Sequence, residues 1–582
     1  MSGEFMRLKN RLISTLLAFG MIAIVAYNAL YGGSIYESHS NWLNRETIRI
    51  WYTDEALTPY IFSKAMAYTS SQKIGQRVRI EPKCVPESEF LEKINVESLN
   101  DREYPDLYVA TNDVLEKAYY AGLAIECDNS DGYFSDAFFP KAALSSVKYN
   151  DKFIAYPFYF ETSALVYNKT YLEDFVLEEI LKERESVQQA LEGDKEEESE
   201  EENSEEGEGD AEKSEEESSD DKDKEDKIDI ASSQGDNAPK IAGDDSENNN
   251  EEVVATDDVM AASKENAQVD QMNEKLAEAE KDPELMAEVE QRMKEEIPTS
   301  IQDIIEFSGR YNAPDQIDVF KWDVTDIFYN YFFVGKYMDV GGENGDNAEL
   351  INIYDENTIS CMKIYQQLSQ FFAIDASTID YDSIVKDFAD GKIVFTIATT
   401  DIFDRINEVT SNEKTNFGTA PKRKFEYGVA PIPDLTDEYG AKTMSVTDCI
   451  VVNGFSENIE EANLFAKYLC RDLSGDLYTM SGKLAAHQGV QYPIKDLETF
   501  VKVYASSVPM PKTIETSNLW MELEIAFIKI WDGSECNSTL KQVSEKIKTQ
   551  VSIRKTGETY EEEYIMDPMD DALIEGLSEE GD

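Results

Sequence analysis

The sequence predicts an α/β protein built on a largely parallel sheet. Short strand-like runs rich in β-branched and aromatic residues alternate with helix-length segments. The alternation stops at a long acidic stretch and resumes after it. One extended run, 153–168 (FIAYPFYFETSALVYN), is long enough to leave one sheet and enter another.

The elements follow in order. IRIWYTD (48–54) reads as a buried strand with a polar turn, and TPYIFSKAMAYTSSQKIG (58–75) as a helix ending near Gly75. RVRIEPKCV (77–85) is a second strand, ESEFLEKINVESLN (87–100) a helix, and PDLYVATND (105–113) a strand that ends in polar groups. VLEKAYYAGL (114–123) is a helix stopped by Gly122. YNDK (149–152) is the turn of a hairpin. After Pro298 a helix starts at Thr299 or Ser300. The segment 355–372 is a helix with Ile359, Met362, Ile364, Tyr365 and Leu368 near one face. The segment 382–403 is a helix, a stop at Gly391 and a strand; 425–434 and 445–454 are further strands, and 459–472 and 533–551 helices. Strand ends in such sheets carry ligands, and Thr53, Asp54, Thr111, Asn112 and Asp113 stand at such ends.

Charge is concentrated. The 582 residues carry a net charge of -64, and about half of it falls in 176–297. A chain this acidic repels nucleic acid, because phosphate binding needs clustered Lys and Arg. The run 191–230 has too little apolar surface to offset the entropy of ordering and reads as disordered. The segment 271–297 is helix-prone, with Pro283 interrupting it.

Arg7, Lys9 and Arg11 precede the apolar run 12–30. About 19 residues at 1.5 Å each nearly cross a 30 Å hydrocarbon layer. The basic flank keeps the N-terminus cytoplasmic and sends the rest outside. The expectation is an uncleaved anchor. A cleaved signal peptide remains the alternative, although no small-x-small cleavage site follows the run. A lipoprotein signal is excluded, since the first cysteine is Cys84.

Six cysteines show no CxxC pair and read as buried free thiols; Cys84 with Cys127 is the pair best placed for a disulfide. Two histidines, His39 and His487, argue against a His-based metal site or a Ser-His-Asp triad. No cofactor or metal is expected.

Five stretches in order carry a resemblance: IRIWYTDE (48–55), YPDLYVATNDVLEKAYYAGLAIE (104–126), VKYNDKFIAYPFYFETSALVYNKTYL (147–172), IVKDFADGKIVFTIATTDIF (384–403) and YGVAPIPD (427–434). The set resembles the extracellular solute-binding proteins of ABC importers, family 1, the maltose-binding-protein-like group. It spans 47–172 and 298–550, about two-thirds of the chain. The family's YNKxxL element is followed closely by a Pro-Thr helix start, which here arrives only at Pro298. The resemblance therefore makes the acidic segment an insertion in a surface loop, where added length costs little.

The resemblance implies a two-lobed periplasmic-binding-protein type II fold with hinge crossovers. Lobe 1 would comprise 46–158 and 450–505; lobe 2 would comprise 159–175, 298–449 and 506–551. A cytoplasmic 1–11, an anchor 12–30, the insertion 176–297 and an acidic tail 552–582 complete the chain. The implied function is capture of a polar solute, an oligosaccharide, for ABC permease subunits, by a monomer held outside the cell membrane through its N-terminal helix. The implied ligand contacts are Thr53, Asp54, Asn112, Asp113, Glu161, Tyr329 or Tyr331, Thr399, Thr400, Asp401 and Trp520. Carboxylates and amides suit hydroxyl-rich ligands, and an aromatic face covers a sugar ring.

Each has a plainer structural reading. Asp54 and Asp113 can cap the helices after them, Glu161 can be a solvated hinge residue, and Trp520 and Trp51 can be core. Sugar binders of this group often carry a tryptophan near Asp401, and Ala110 is not aromatic either. These departures leave room for a more polar or cationic ligand. Paired carboxylates also serve glycosidases, but nothing else in the chain points to hydrolysis, so no enzyme is expected. A surface sensor or adhesion scaffold on the same fold is the alternative function.

Overall fold

The computed structural model describes residues 47–72, 78–100, 104–204, 281–311, 316–412 and 426–567. The expected cytoplasmic segment 1–11 and anchor 12–30 lie outside them. Among the described residues no helix is long and apolar enough to cross a membrane. The chain divides into two compact units, one formed by Met1–Lys169 with Pro298–Asp582 and the other by Thr170–Ile297.

The larger unit is organised by one sheet in the order β2-β1-β3-β10-β6-β8-β7. These strands are β1 (Thr47–Tyr52), β2 (Arg79–Cys84), β3 (Leu107–Thr111), β6 (Tyr156–Asn168), β7 (Asp318–Phe320), β8 (Ile393–Thr399) and β10 (Met444–Val452). β1 lies parallel to β2 and β3, and β7 parallel to β8. At the centre the expectation of a largely parallel sheet fails. β10 is antiparallel to β3 and β6, and β6 is antiparallel to β8. The sheet is mixed because β6 runs against the strands on both of its sides. Pro82 sits in β2, an outer strand of the sheet, where a missing N–H costs least.

β6 is the extended run seen in the sequence. Its first half, to Thr162, pairs with β10 and with β11 (Leu484–Ala485). From Ser163 it pairs instead with β8 and with β9 (Tyr427–Ala430). Every residue of β6 is buried except Glu161, which is half-exposed. Burial on both sides is why the strand reads as a continuous apolar run. The hairpin before it, β4 (Lys148–Tyr149) and β5 (Lys152–Phe153), turns on Asn150 and Asp151, both with positive φ. That is the geometry of a type I′ turn, which Asn and Asp tolerate. Behind the sheet, the Phe160 ring lies flat on Tyr504 at 3.9 Å between centroids.

Local chemistry sets the helices. Ser300 and Asp303 form a reciprocal capping box for Ile301–Arg310. In helix Glu356–Phe371 the predicted face of Ile359, Met362, Ile364, Tyr365 and Leu368 is fully buried. Gly391 stops the helix Tyr381–Ala389 with φ of 75°. Trp51 is core, 1% exposed.

Three further expectations need correction. The acidic run 191–230 is not wholly without structure, because the helix Lys169–Ser204 continues into it. Glu, Lys, Gln and Leu are strong helix formers, and that preference outweighs the charge there. Pro283 begins a helix, Pro283–Glu295, rather than breaking one, with the Asp282 carboxylate accepting from Glu284 N and Leu285 N. At N1 proline loses no hydrogen bond. This helix joins its unit through Arg184–Glu288 and Arg292–Glu183 ion pairs. The start of the acidic tail packs on the last helix, Cys536–Lys555. Asn537 Nδ2 donates to Ile565 O at 2.9 Å, and Lys548 pairs with Glu562. All six cysteines are free, Cys84 exposed and Cys127 buried, so the Cys84–Cys127 disulfide is absent.

Candidate functional site

The central strands bring polar side chains onto one face of the sheet. Glu161 pairs with Val446, Tyr159 with Asp448, Asp448 with Thr111, and Ser163 with Thr399. Side chains alternate along a strand, and directly paired residues share a face. Thr111, Asp448, Tyr159, Glu161, Ser163 and Thr399 therefore form a polar row across the sheet, at the point where β6 changes partners. The Ser163 hydroxyl in this row is fully buried and has no hydrogen-bond partner among the described residues.

Lys483 anchors the row. It follows Gly482, which ends the helix Asp476–Ser481 in a left-handed conformation, and it immediately precedes β11. Its ammonium lies 3.1 Å from Asp54 Oδ2 and 3.0 Å from Glu161 Oε1. The ammonium also stands 5.4 Å from the Tyr159 ring centroid. Burial works against the ammonium, but Glu161 and Asp54 outweigh it and raise the Lys483 pKa. Asp54 has a second duty, because its Oδ1 caps the following turn by accepting from Ala56 N at 2.9 Å.

Asp448 is the unusual acid of the group. Burial, then the negative charge of Glu161, push its carboxyl up to about 7, while the Tyr159 hydroxyl donates to it. Asp113 is also raised, chiefly by burial, and its carboxylate accepts from the Thr111 hydroxyl. Two acids whose carboxyls are pushed up by burial stand beside two that are charge-paired, and the Lys483 ammonium adds donors to their acceptor oxygens. Ala56, two residues after Asp54, and Gly482, which precedes Lys483, line an open concavity of about 510 Å³ together with Tyr478, Ser481, Pro493 and Asp404.

A second group stands at the end of β8. Tyr381 OH donates to Asp401 Oδ1 at 2.9 Å and accepts from Thr399 N at 3.1 Å. Arg405 pairs with Asp401 and Asp382. Tyr329 stacks on Tyr381 at 4.6 Å.

The structure thus brings Asp54, Glu161 and Asp113 into one neighbourhood, and Thr399, Asp401 and Tyr329 into another. Other expected contacts have different work. Asn112 is fully buried: its Oδ1 accepts from Thr447 N at 3.0 Å and its Nδ2 donates to Met510 O at 2.5 Å. A buried amide needs such partners, and here it ties β3 to β10. Tyr331 is fully buried, its hydroxyl without a partner among the described residues, and Trp520 meets it edge-on at 6.0 Å. Thr400 is 4% exposed, and the Thr53 carbonyl accepts from Cys84 Sγ. Sequence reasoning missed Lys483, Asp448, Tyr159, Tyr381 and Arg405. For Lys483 the available signal was indirect, since two carboxylates gathered in a partly buried site require a nearby cation.

The mixed sheet, the exchange of partners along β6 and the surrounding helices define a fold, and solved structures match it. The fold is that of the maltose-binding-protein-like solute-binding proteins. An extracellular solute-binding protein from Staphylococcus aureus in complex with maltose matches with a TM-score of 0.57 at 14% identity, covering 88% of this chain and 99% of that one. A cyclo/maltodextrin-binding protein complexed with maltotetraose gives 0.56 at 14%, covering 89% and 100%. The maltose-binding periplasmic protein of Listeria monocytogenes, in complex with maltose, gives 0.53 at 14%, covering 88% and 99%. No protein-family model and no curated protein matches the sequence.

Proposed function

We propose that this chain captures a polar solute, an oligosaccharide, as the extracytoplasmic substrate-binding component of an ABC importer. The observation that carries the reading is the Asp54–Lys483–Glu161 group on the sheet face where β6 changes partners, in a fold shared with sugar-binding proteins. Charge-paired carboxylates keep free lone pairs for hydroxyl donors, and the ammonium keeps donor capacity for ring and hydroxyl oxygens. The sequence divides the body into lobe 1 (46–158 and 450–505) and lobe 2 (159–175, 298–449 and 506–551). In this reading the two close over the solute by hinge motion. The segment 12–30 holds the protein at the cell membrane, with its body outside. The protein works by binding and release, without catalysis.

Calorimetric titration with a panel of neutral oligosaccharides, polyols, amino acids and polyamines tests this. Saturable one-to-one binding of an oligosaccharide is expected. Silence across the panel would overturn the reading.

A further inference from the structure

We propose that Lys483 is the specificity-determining residue of this site: its ammonium fills a cation position built from Asp54, Glu161 and Tyr159, so the site takes neutral hydroxylated ligands and rejects protonated amines. The inference rests on the solute-capture reading and names its ligand class.

Two carboxylates at 3.0 and 3.1 Å and an aromatic ring at 5.4 Å are what a ligand ammonium would need. The chain has placed its own ammonium there. β11 holds Lys483 in position, because Leu484 and Ala485 pair with Phe160 and Tyr159 of β6. The lysine therefore enters the group beside the strand that carries Glu161. The Gly482 turn before it has φ of 72° and approaches Asp404 closely, which limits how far the segment can shift.

The charge balance points the same way. Asp54 and Glu161 are paired with Lys483, and burial pushes the carboxyls of the neighbouring Asp448 and Asp113 up, which favours their neutral forms. Each device reduces the negative charge that a neutral ligand would have to desolvate. A protonated amine would meet the Lys483 ammonium at the place where it is best recognised, and like charges at such range repel. Removing that ammonium leaves two uncompensated carboxylates and an open position of lysine size, which inverts the preference.

The test uses the full chain and two variants, Lys483→Ala and Lys483→Met, with intact fold checked by circular dichroism. Chemical rescue comes first. Propylammonium chloride is expected to raise the melting temperature of Lys483→Ala by at least about 3 °C over sodium chloride at equal ionic strength, and to leave the wild type unchanged. The second measurement compares a neutral oligosaccharide with its amino-sugar counterpart by calorimetry. The variants are expected to shift the amine-to-neutral affinity ratio at least tenfold towards the amine. Equal effects of propylammonium and sodium, or an unchanged affinity ratio, would overturn the assignment of Lys483. Failure of the wild type to bind any saccharide, with rescue present, would instead overturn the capture reading.

Discussion

The Lys483 ammonium sits 3.0 Å from Glu161 Oε1, across 322 residues of sequence. Glu161 is the one residue of its thirteen-residue strand that is not buried. A buried strand that opens at a single charged position, and meets a lysine there, concentrates its chemistry at that position. The pair is partly solvated, so its contribution to stability is small. Its value lies in the oxygen atoms it presents.

Glu161→Gln keeps the shape of the side chain and removes its charge. The expected result is ligand binding weakened at least tenfold, about 1.4 kcal/mol. The melting temperature should move by no more than about 3 °C, because a partly solvated ion pair stabilises a fold little. Calorimetry and thermal denaturation on the same preparation separate the two effects. Unchanged affinity would remove Glu161 from the site.

Asp448 predicts a pH dependence. Its folded pKa of about 7 lies above the ordinary 3.8. The folded protein thus holds this proton more tightly than the unfolded chain does. Stability from the group is complete below about pH 4 and is lost as pH rises through 7. Asp448→Asn removes the dependence. Between pH 5 and pH 8 the wild type should lose stability relative to the variant, by about 2–3 kcal/mol, in urea denaturation. Parallel curves would show that the carboxyl is not perturbed.

The difference between Glu161 and Lys483 also explains what the sequence could and could not reveal. Glu161 is legible through the resemblance, which implies an acidic ligand contact at that place in the crossing run. The Asn150–Asp151 turn, the Ser300 cap and the Gly391 stop are legible locally, each fixed by the φ or hydrogen bond of its own residue. Lys483 lies in an unremarkable segment, and only the pairing of β11 with β6 carries it to Glu161. Long-range pairing has no local signature, which is also why the antiparallel centre of the sheet was not foreseen. Pro283 was misread for a different reason: its role depends on whether the residue before it can cap, and Asp282 does.

The acidic segment should be dispensable for ligand binding. It belongs to a compact unit, Thr170–Ile297, distinct from the one that holds Asp54, Glu161 and Lys483. Deleting 193–265 is expected to change affinity by less than about threefold, under 1 kcal/mol. Calorimetry on the shortened chain measures it. A larger loss would mean that the segment takes part in capture.

Lys512 gives the opposite pH signature to Asp448. It is fully buried, and its ammonium donates to Ser145 O at 3.0 Å and to Asn344 O. Burial pulls its pKa down to about 8 from 10.5, against the opposing pull of Asp346. The unfolded chain therefore binds this proton more tightly, and folding is penalised below about pH 8. The penalty fades as pH rises through 8 and is gone by about 10.5. Lys512→Met removes the titration but leaves two carbonyls without their donor, so it destabilises the fold at high pH, by about 1–3 kcal/mol. Near pH 7 the charged lysine of the wild type carries its own desolvation cost, and the gap between the two proteins narrows. Urea midpoints at pH 7 and pH 10 should therefore diverge, with the wild type gaining on the variant as the lysine neutralises. A gap that is constant with pH would place the lysine's ammonium in contact with water instead.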